Sequence, residues 1–338
     1  MPEDQKSNEQ TPQEPTATQA LGRLMRQSKF ARLDSDNPNT VIERDGERYS
    51  IEMVLDGRSE TIKNVQELFV KTFGEEEVDS EEILRTAIDG KTPWGQEDVT
   101  KYRVHVIKDS KGEAVSTVAG GRLKLRNADG SSRGKQMFMV AYAVTDEKAR
   151  QGGLAREAYI SAIMQAAKEA QAEGQELAFS AGEAKFTSER FWNSVGWKRV
   201  YAAKSGEPSL EELKYVQPAL DFNEKTGAIA EGAGAAPEHL MIDSFEGKPP
   251  GKDDILATVR AFYEWCNTWP PEAFENSEAL AHHREHVVGI WKEFKQQVEE
   301  SERLEYISKD ERIKAKKEGL LVKDHTAADH GRTGEEDF

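Results

Sequence analysis

The stretch from Met137 to Gly174 constrains this chain more than any other. Met137-Phe138-Met139-Val140-Ala141-Tyr142-Ala143-Val144 is apolar at consecutive positions. A strand of that kind needs cover on both faces, as a central strand has. A polar loop, Thr145 to Gly153, leads into a helical pattern with Leu154, Ala158, Ala162 and Ala166 on one face and Tyr159 and Ile163 beside them. Gly174 stops it, and Leu177-Ala178-Phe179-Ser180-Ala181 reads as a second buried strand. A strand–helix–strand crossover predicts a mixed α/β sheet with helices on its faces.

The flanks extend that sheet. Tyr49, Ile51 and Met53 alternate with polar residues, as do Tyr102, Val104 and Val106. Asp109-Ser110-Lys111-Gly112 is turn chemistry before a β-prone run from Ala114 to Leu125. Ile62, Val65, Phe69 and Phe73 have helical spacing. Asp79 and Glu82 have capping-box spacing before Ile83, Leu84, Ala87 and Ile88. Trp197 to Tyr201, Tyr215 to Phe222 and His239 to Ile242 complete the β material. Beyond Pro249-Pro250, Ile255, Val259, Phe262 and Tyr263 form one helical stripe, and Leu280, Val287, Trp291, Phe294 and Val298 a second.

The loop before Leu154 carries the chemistry. Gly152-Gly153 opens directly into the helix, whose first-turn amides and dipole suit an anion. Glycine lets a phosphate approach the backbone, and Arg150 adds a positive charge. The one Gly-Lys-Thr, Gly90-Lys91-Thr92, has Arg85 where G-x-x-x-x-G-K-S/T needs its first glycine, and no G-x-G-x-x-G is present, which disfavours both a P-loop and a dinucleotide turn.

Arg150-Gln151-Gly152-Gly153-Leu154-Ala155 resembles the R/Q-x-x-G-x-G/A signature of the GNAT superfamily of acyl-CoA-dependent N-acyltransferases. Phe191-Trp192-Asn193-Ser194-Val195-Gly196-Trp197 resembles a second element of that family, and the resemblance runs from about Tyr49 to Asp243. It implies a GNAT-like, mostly antiparallel central sheet flanked by helices. It further implies acyl transfer, most simply of acetyl from acetyl-CoA, to a primary amine on a small molecule or peptide by direct attack without a metal. Amides from Gln151 to Ala155 would bind the CoA pyrophosphate. A bulge near Ala143-Val144 would splay the central strand from Leu177–Ala181, making room for pantetheine and presenting an amide to the thioester carbonyl.

Two positions depart from the family pattern. Trp192 stands where a tyrosine often protonates the leaving thiolate, and Lys185 where an asparagine is often found. Tyr142 and Glu183 are the titratable candidates for catalysis, Tyr142 also readable as a core aromatic and Glu183 as a solvated loop residue. The departures keep open an acyl-CoA-binding sensor or assembly module without turnover.

Other patterns point to packing or solvent. His282-His283-Arg284-Glu285-His286 contains H-x-x-E-H, but too little ordered sequence follows to supply a third zinc ligand, so it reads as a solvated helix flank with His283 partly packed near Val287. Trp265, Trp269 and Trp291 read as packing of a helical hairpin. Lys+Arg 46 against Asp+Glu 62 gives a formal net charge of -16, unfavourable for gripping nucleic acid. A single cysteine, Cys266, allows no intrachain disulfide. No apolar run approaches the roughly 18 residues that span a bilayer, and no secretory leader is evident, so a cytoplasmic protein is expected. The expected organisation is a disordered tail over 1–45 with a short helix near Ala20–Arg26, a GNAT-like domain over 46–245 with an insertion at 203–236, a helical hairpin over 246–303 and a disordered charged tail over 304–338. The hairpin would lie on the domain or on a second copy in a homodimer.

Overall fold

The computed structural model describes residues 39–44, 46–90, 99–150, 152–185, 188–204, 206, 209–231, 233–245, 249–264, 268–269 and 271–324. The expected helix near Ala20–Arg26, together with Trp265 and Cys266, lies outside them.

The elements run β1 (Asn39–Arg44), β2 (Glu47–Val54), α1 (Thr61–Phe73), α2 (Glu81–Ile88), β3 (Val99–Lys108), β4 (Ala114–Arg126), β5 (Ser132–Thr145), α3 (Leu154–Ala172), β6 (Glu176–Ala184) and α4 (Glu189–Ser194). Then come β7 (Lys198–Ala203), β8 (Ser209–Glu212), β9 (Tyr215–Gln217), β10 (Ala236–Ser244), α5 (Lys252–Phe262), α6 (Ser277–Glu300), β11 (Arg303–Ile307), α7 (Lys309–Lys317) and β12 (Leu321–Lys323). The strands form one sheet ordered β1-β2-β3-β4-β5-β6-β10-β7-β8-β12, with β11 on β7 and β9 on β10. Two pairs are parallel, β5–β6 and β8–β12, and the others are antiparallel. This is the expected mixed, mainly antiparallel sheet with helices on its faces.

Small residues set how closely α3 lies on the sheet. Ala158, Ala162, Ala166 and Ala170 are buried against Val118, Phe138 and Val140, with Tyr159 and Ile163. Two strand arginines tie the same helix down: Arg103 pairs with Glu169 at 3.2 Å and Arg122 with Glu173 at 2.7 Å. On the opposite face, α1 and α2 cover Val104, Val106, Ala119 and Val144. The stripes of α5 and α6 cover Leu123, Met137, Met139, Phe179 and Ala181. The hairpin is therefore laid on its own sheet.

Several expectations are corrected. The N-cap of α2 is Ser80, whose side chain accepts from the Ile83 amide; Asp79 makes a different bond, described below. His283 is fully buried rather than flanking: its Nε2 accepts from the Trp269 amide at 3.0 Å, and its ring lies 4.2 Å from that of Phe222. Burial pushes the His283 pKa down to about 4, so it packs as a neutral ring. Residues 39–44 form a strand rather than tail.

The largest difference concerns 304–338, of which Leu304 to Asp324 is folded. Arg312 of α7 is buried, its guanidinium 2.9 Å from Glu189 at the start of α4. Glu189 also pairs with Arg199 at 2.6 Å, Arg199 with Glu212 at 3.1 Å, and Glu212 with His239 at 2.6 Å. Alternating charges from Arg312 to Glu212, together with the packing of Ile307, Leu320 and Val322 on Tyr201 and Leu210, hold the segment.

Candidate active site

The site forms where β5 and β6 part. Their parallel register runs from Lys135↔Glu176 to Val140↔Gly182 and stops there. β5 continues to Thr145, paired with β4 alone. Opposite β4, Ala119 pairs with Tyr142 and Gly120 with Val140, so Ala141 is an extra residue, a β-bulge. Glycine is required beside it: a Cβ on Gly120 would lie 2.0 Å from the Met139 carbonyl oxygen. The irregularity thus falls two residues before the expected Ala143-Val144, and Ala141 is exposed in the opening.

Strand alternation decides which backbone groups face this fork. The Asp146 amide donates to Val115 of β4 at 2.9 Å, and the Val144 carbonyl accepts from Ser116 Oγ at 3.1 Å. Residues of that parity turn toward β4, so Ala143 turns its amide and carbonyl toward the fork. Of the two strand positions expected at the cofactor, Ala143 faces the gap and Val144 faces β4.

The glycine turn lies after β5. Asp146 caps a short 3-10 turn, Glu147–Ala149, and Gly153 adopts φ +70° before α3. That left-handed conformation suits glycine, and with Gly152 it leaves no side chain over the first-turn amides of Leu154, Ala155 and Arg156. Leu154 is buried in the core and fixes the start of the helix. Arg150 is more than half exposed, its Nε 3.4 Å from the Thr145 carbonyl and its Nη1 3.7 Å from Glu147. Gln151 lies outside the described residues.

Tyr142 and Glu183 stand on the two arms of the fork, Glu183 one residue beyond its last pair and Tyr142 two, past the bulged Ala141. The Tyr142 hydroxyl donates to Asp79 Oδ2 at 3.1 Å and accepts from the Asp79 amide at 3.1 Å, while its ring lies 4.5 Å from that of Phe69. Burial pushes the Asp79 pKa up, and the bond from Tyr142 opposes that. Tyr142 is both a packed aromatic and a member of a half-buried hydroxyl–carboxyl pair.

Glu183 is not a loop residue. It is the eighth of the nine residues of β6, and its carboxylate accepts from the Tyr215 hydroxyl and from Gln217 Nε2, the latter at 3.1 Å. Burial raises its pKa to about 7, with the two donors pulling the other way. Two residues on, Lys185 forms an exposed ion pair with Glu77, joining the end of β6 to the turn between α1 and α2. Trp192 is buried, 4.4 Å from the ring of Trp197, so it acts as core. Tyr215, Gln217 and Asp79 escaped sequence reasoning. The first two lie more than 30 residues from Glu183, and no local pattern marks such a contact.

Among the described residues, no group of three His, Cys, Asp or Glu side chains is placed to hold a metal ion. Among them, too, no helix is long and apolar enough to cross a membrane.

No family model and no curated protein matches the chain. Solved structures do resemble it. A protein from Bacteroides thetaiotaomicron described as a GNAT-family acetyltransferase is 14% identical, covering 63% of this chain and 95% of its own, with a TM-score of 0.38. NAA60 of Arabidopsis thaliana, solved with a bisubstrate analogue, is 8% identical over 57% of this chain and 97% of its own, TM-score 0.37. The GNAT-family protein YhbS of Escherichia coli, solved with CoA, is 16% identical over 46% and 72%, TM-score 0.32. Likeness at this level assigns no activity to the chain, and the functional reading rests on its own residues.

Proposed function

We propose that this chain is an acyl-CoA-dependent N-acyltransferase that moves an acetyl or other short acyl group to a primary amine of a small molecule or peptide. One observation carries the reading: a strand fork with a half-buried carboxylate on one arm and a glycine-opened helix N-terminus just past the other.

The residues fit acyl-CoA. Gly152, Gly153 and the first-turn amides of α3 suit a pyrophosphate, with Arg150 beside them. The fork offers the backbone of Ala143 to an extended amide-bearing chain. When bound, acyl-CoA supplies the acyl group as a thioester. The Ala143 amide is a donor placed to polarise a carbonyl oxygen in the gap. Glu183 is the base: with a pKa near 7 it is half ionised near neutrality and can take a proton from an arriving ammonium group. The amine nitrogen, still carrying two protons, then bonds to the acyl carbon as the carbon–sulfur bond breaks; it sheds one of them to become the neutral amide, and the departing thiolate takes up one to become the thiol. Trp192, buried among aromatic rings, offers no acid for that last step, so the proton comes from another group or from water.

The test is release of free thiol from acetyl-CoA across a panel of primary amines and amino-terminal peptides, with the product mass measured. Turnover with an acylated amine is expected. Binding of acetyl-CoA without turnover on any amine would contradict transfer and support the non-catalytic binding module.

A further inference from the structure

The strand carrying Tyr215 belongs to the 203–236 insertion, and its contacts are unusually directed for a three-residue strand. Tyr215 is fully buried, its ring 6.5 Å from Phe262, 5.8 Å from Tyr263 and 6.0 Å from Phe294. Those three rings come from α5, its C-terminal end and α6. The Tyr263 hydroxyl donates to the Val216 carbonyl at 2.8 Å. Gln297 of α6 grips the residue before the strand, accepting from the Lys214 amide at 2.8 Å and donating to its carbonyl at 3.3 Å. Thus β9 is clamped by the hairpin on one side and, on the other, puts one donor on each oxygen of Glu183.

We propose that Tyr215 and Gln217 are positioning residues for acyl transfer: they fix both carboxylate oxygens of Glu183 at the fork, and the hairpin α5–α6 fixes them. The inference rests on the acyltransferase reading and gives the insertion and the hairpin a shared role in it. A carboxylate pinned by two donors can present only its remaining lone pairs, which orients it toward the gap. Both donors favour the charged form, so they offset part of the burial cost and keep the base usable near neutral pH. Among the described residues, Tyr263 at the end of α5 interacts electrostatically with this carboxylate, Glu238 lies opposite Tyr215 on β10, and the Tyr142–Asp79 pair stands on the other arm of the fork.

Tyr215→Phe keeps the ring packing and removes the donor; Gln217→Met does the same for the second oxygen. Each is expected to shift the acid limb of the kcat/KM profile upward by about one pH unit, which lowers the rate below the midpoint about tenfold. At the high-pH plateau the expected loss is under about threefold, with KM for acetyl-CoA unchanged, whereas a merely structural defect would lower the rate at every pH. A readout independent of turnover is carbon NMR titration of the Glu183 carboxyl, assigned with Glu183→Gln; its midpoint should move with the profile. An unmoved midpoint in both variants, with wild-type turnover intact, would overturn the positioning role while leaving the acyltransferase reading standing. A midpoint that moves in the variants while wild type turns over no amine would overturn the acyltransferase reading, and the catalytic use of this carboxylate with it.

Discussion

Glu183→Gln lowers turnover by about 10²–10⁴-fold, the range expected when a general base is removed, while leaving acetyl-CoA affinity within about threefold. The wild-type rate is expected to rise with pH through about 7, where half of the carboxyl has lost its proton, and to level off only above that; the variant should have no such limb. The same substitution changes stability in the opposite sense. Free in an unfolded chain, a glutamate titrates near 4.5, whereas Glu183 titrates near 7 in the fold. Between those values the native state holds a proton that the unfolded state has released, so this residue costs stability progressively as pH rises through that window, and in full above it. Gln carries no charge to bury. The variant is therefore expected to melt higher than wild type at pH 8 and to lose that advantage at pH 4, as at other sites where function opposes stability. A variant as active as wild type would remove Glu183 from the chemistry.

The second large effect is on the C-terminal segment. Arg312 sits between Glu189 and the Tyr201 hydroxyl, which lie 2.9 and 3.2 Å from its guanidinium; Asp324 accepts from the same hydroxyl at 2.8 Å. Arg312→Met leaves Glu189 with only Arg199 in a buried place. Removing one member of such a network costs about 3–5 kcal/mol, because the surviving charges lose their compensation. A denaturant melt should show that loss, and pairing Arg312→Met with Glu189→Gln should cost less than the two separate effects combined. A change below about 0.5 kcal/mol would mean that α7 does not depend on this contact. Because α4 carries both Glu189 and Trp192, loosening α7 also loosens the aromatic packing of Trp192 on Trp197.

These two residues mark where sequence reasoning succeeds and fails. The central strand, the glycine turn and α3 were legible because each is written locally: consecutive apolar residues, paired glycines, then small residues at helical spacing. The stripes of α5 and α6 were legible for the same reason. Glu183 was located, but its burial was not, since its donors come from β9, more than 30 residues away. The folded tail was missed because Arg312 is buried by pairing with distant carboxylates, so α7 shows no apolar stripe. One local signal did exist: Ser308 and Glu311 form a reciprocal capping box at the start of α7. The bulge at Ala141 had no signal of its own beyond Gly120 opposite, whose need to be glycine shows only once the strands are paired.

The account's central claim is that the amides opening α3 and the fork beside them hold the cofactor. Calorimetric titration of acetyl-CoA into wild type and into a Gly152→Glu, Gly153→Glu double variant tests it most directly, with far-ultraviolet circular dichroism confirming that both are folded. Two carboxylates over those amides should abolish measurable binding while wild type binds at a single site. Equal affinity in the two proteins would contradict the claim.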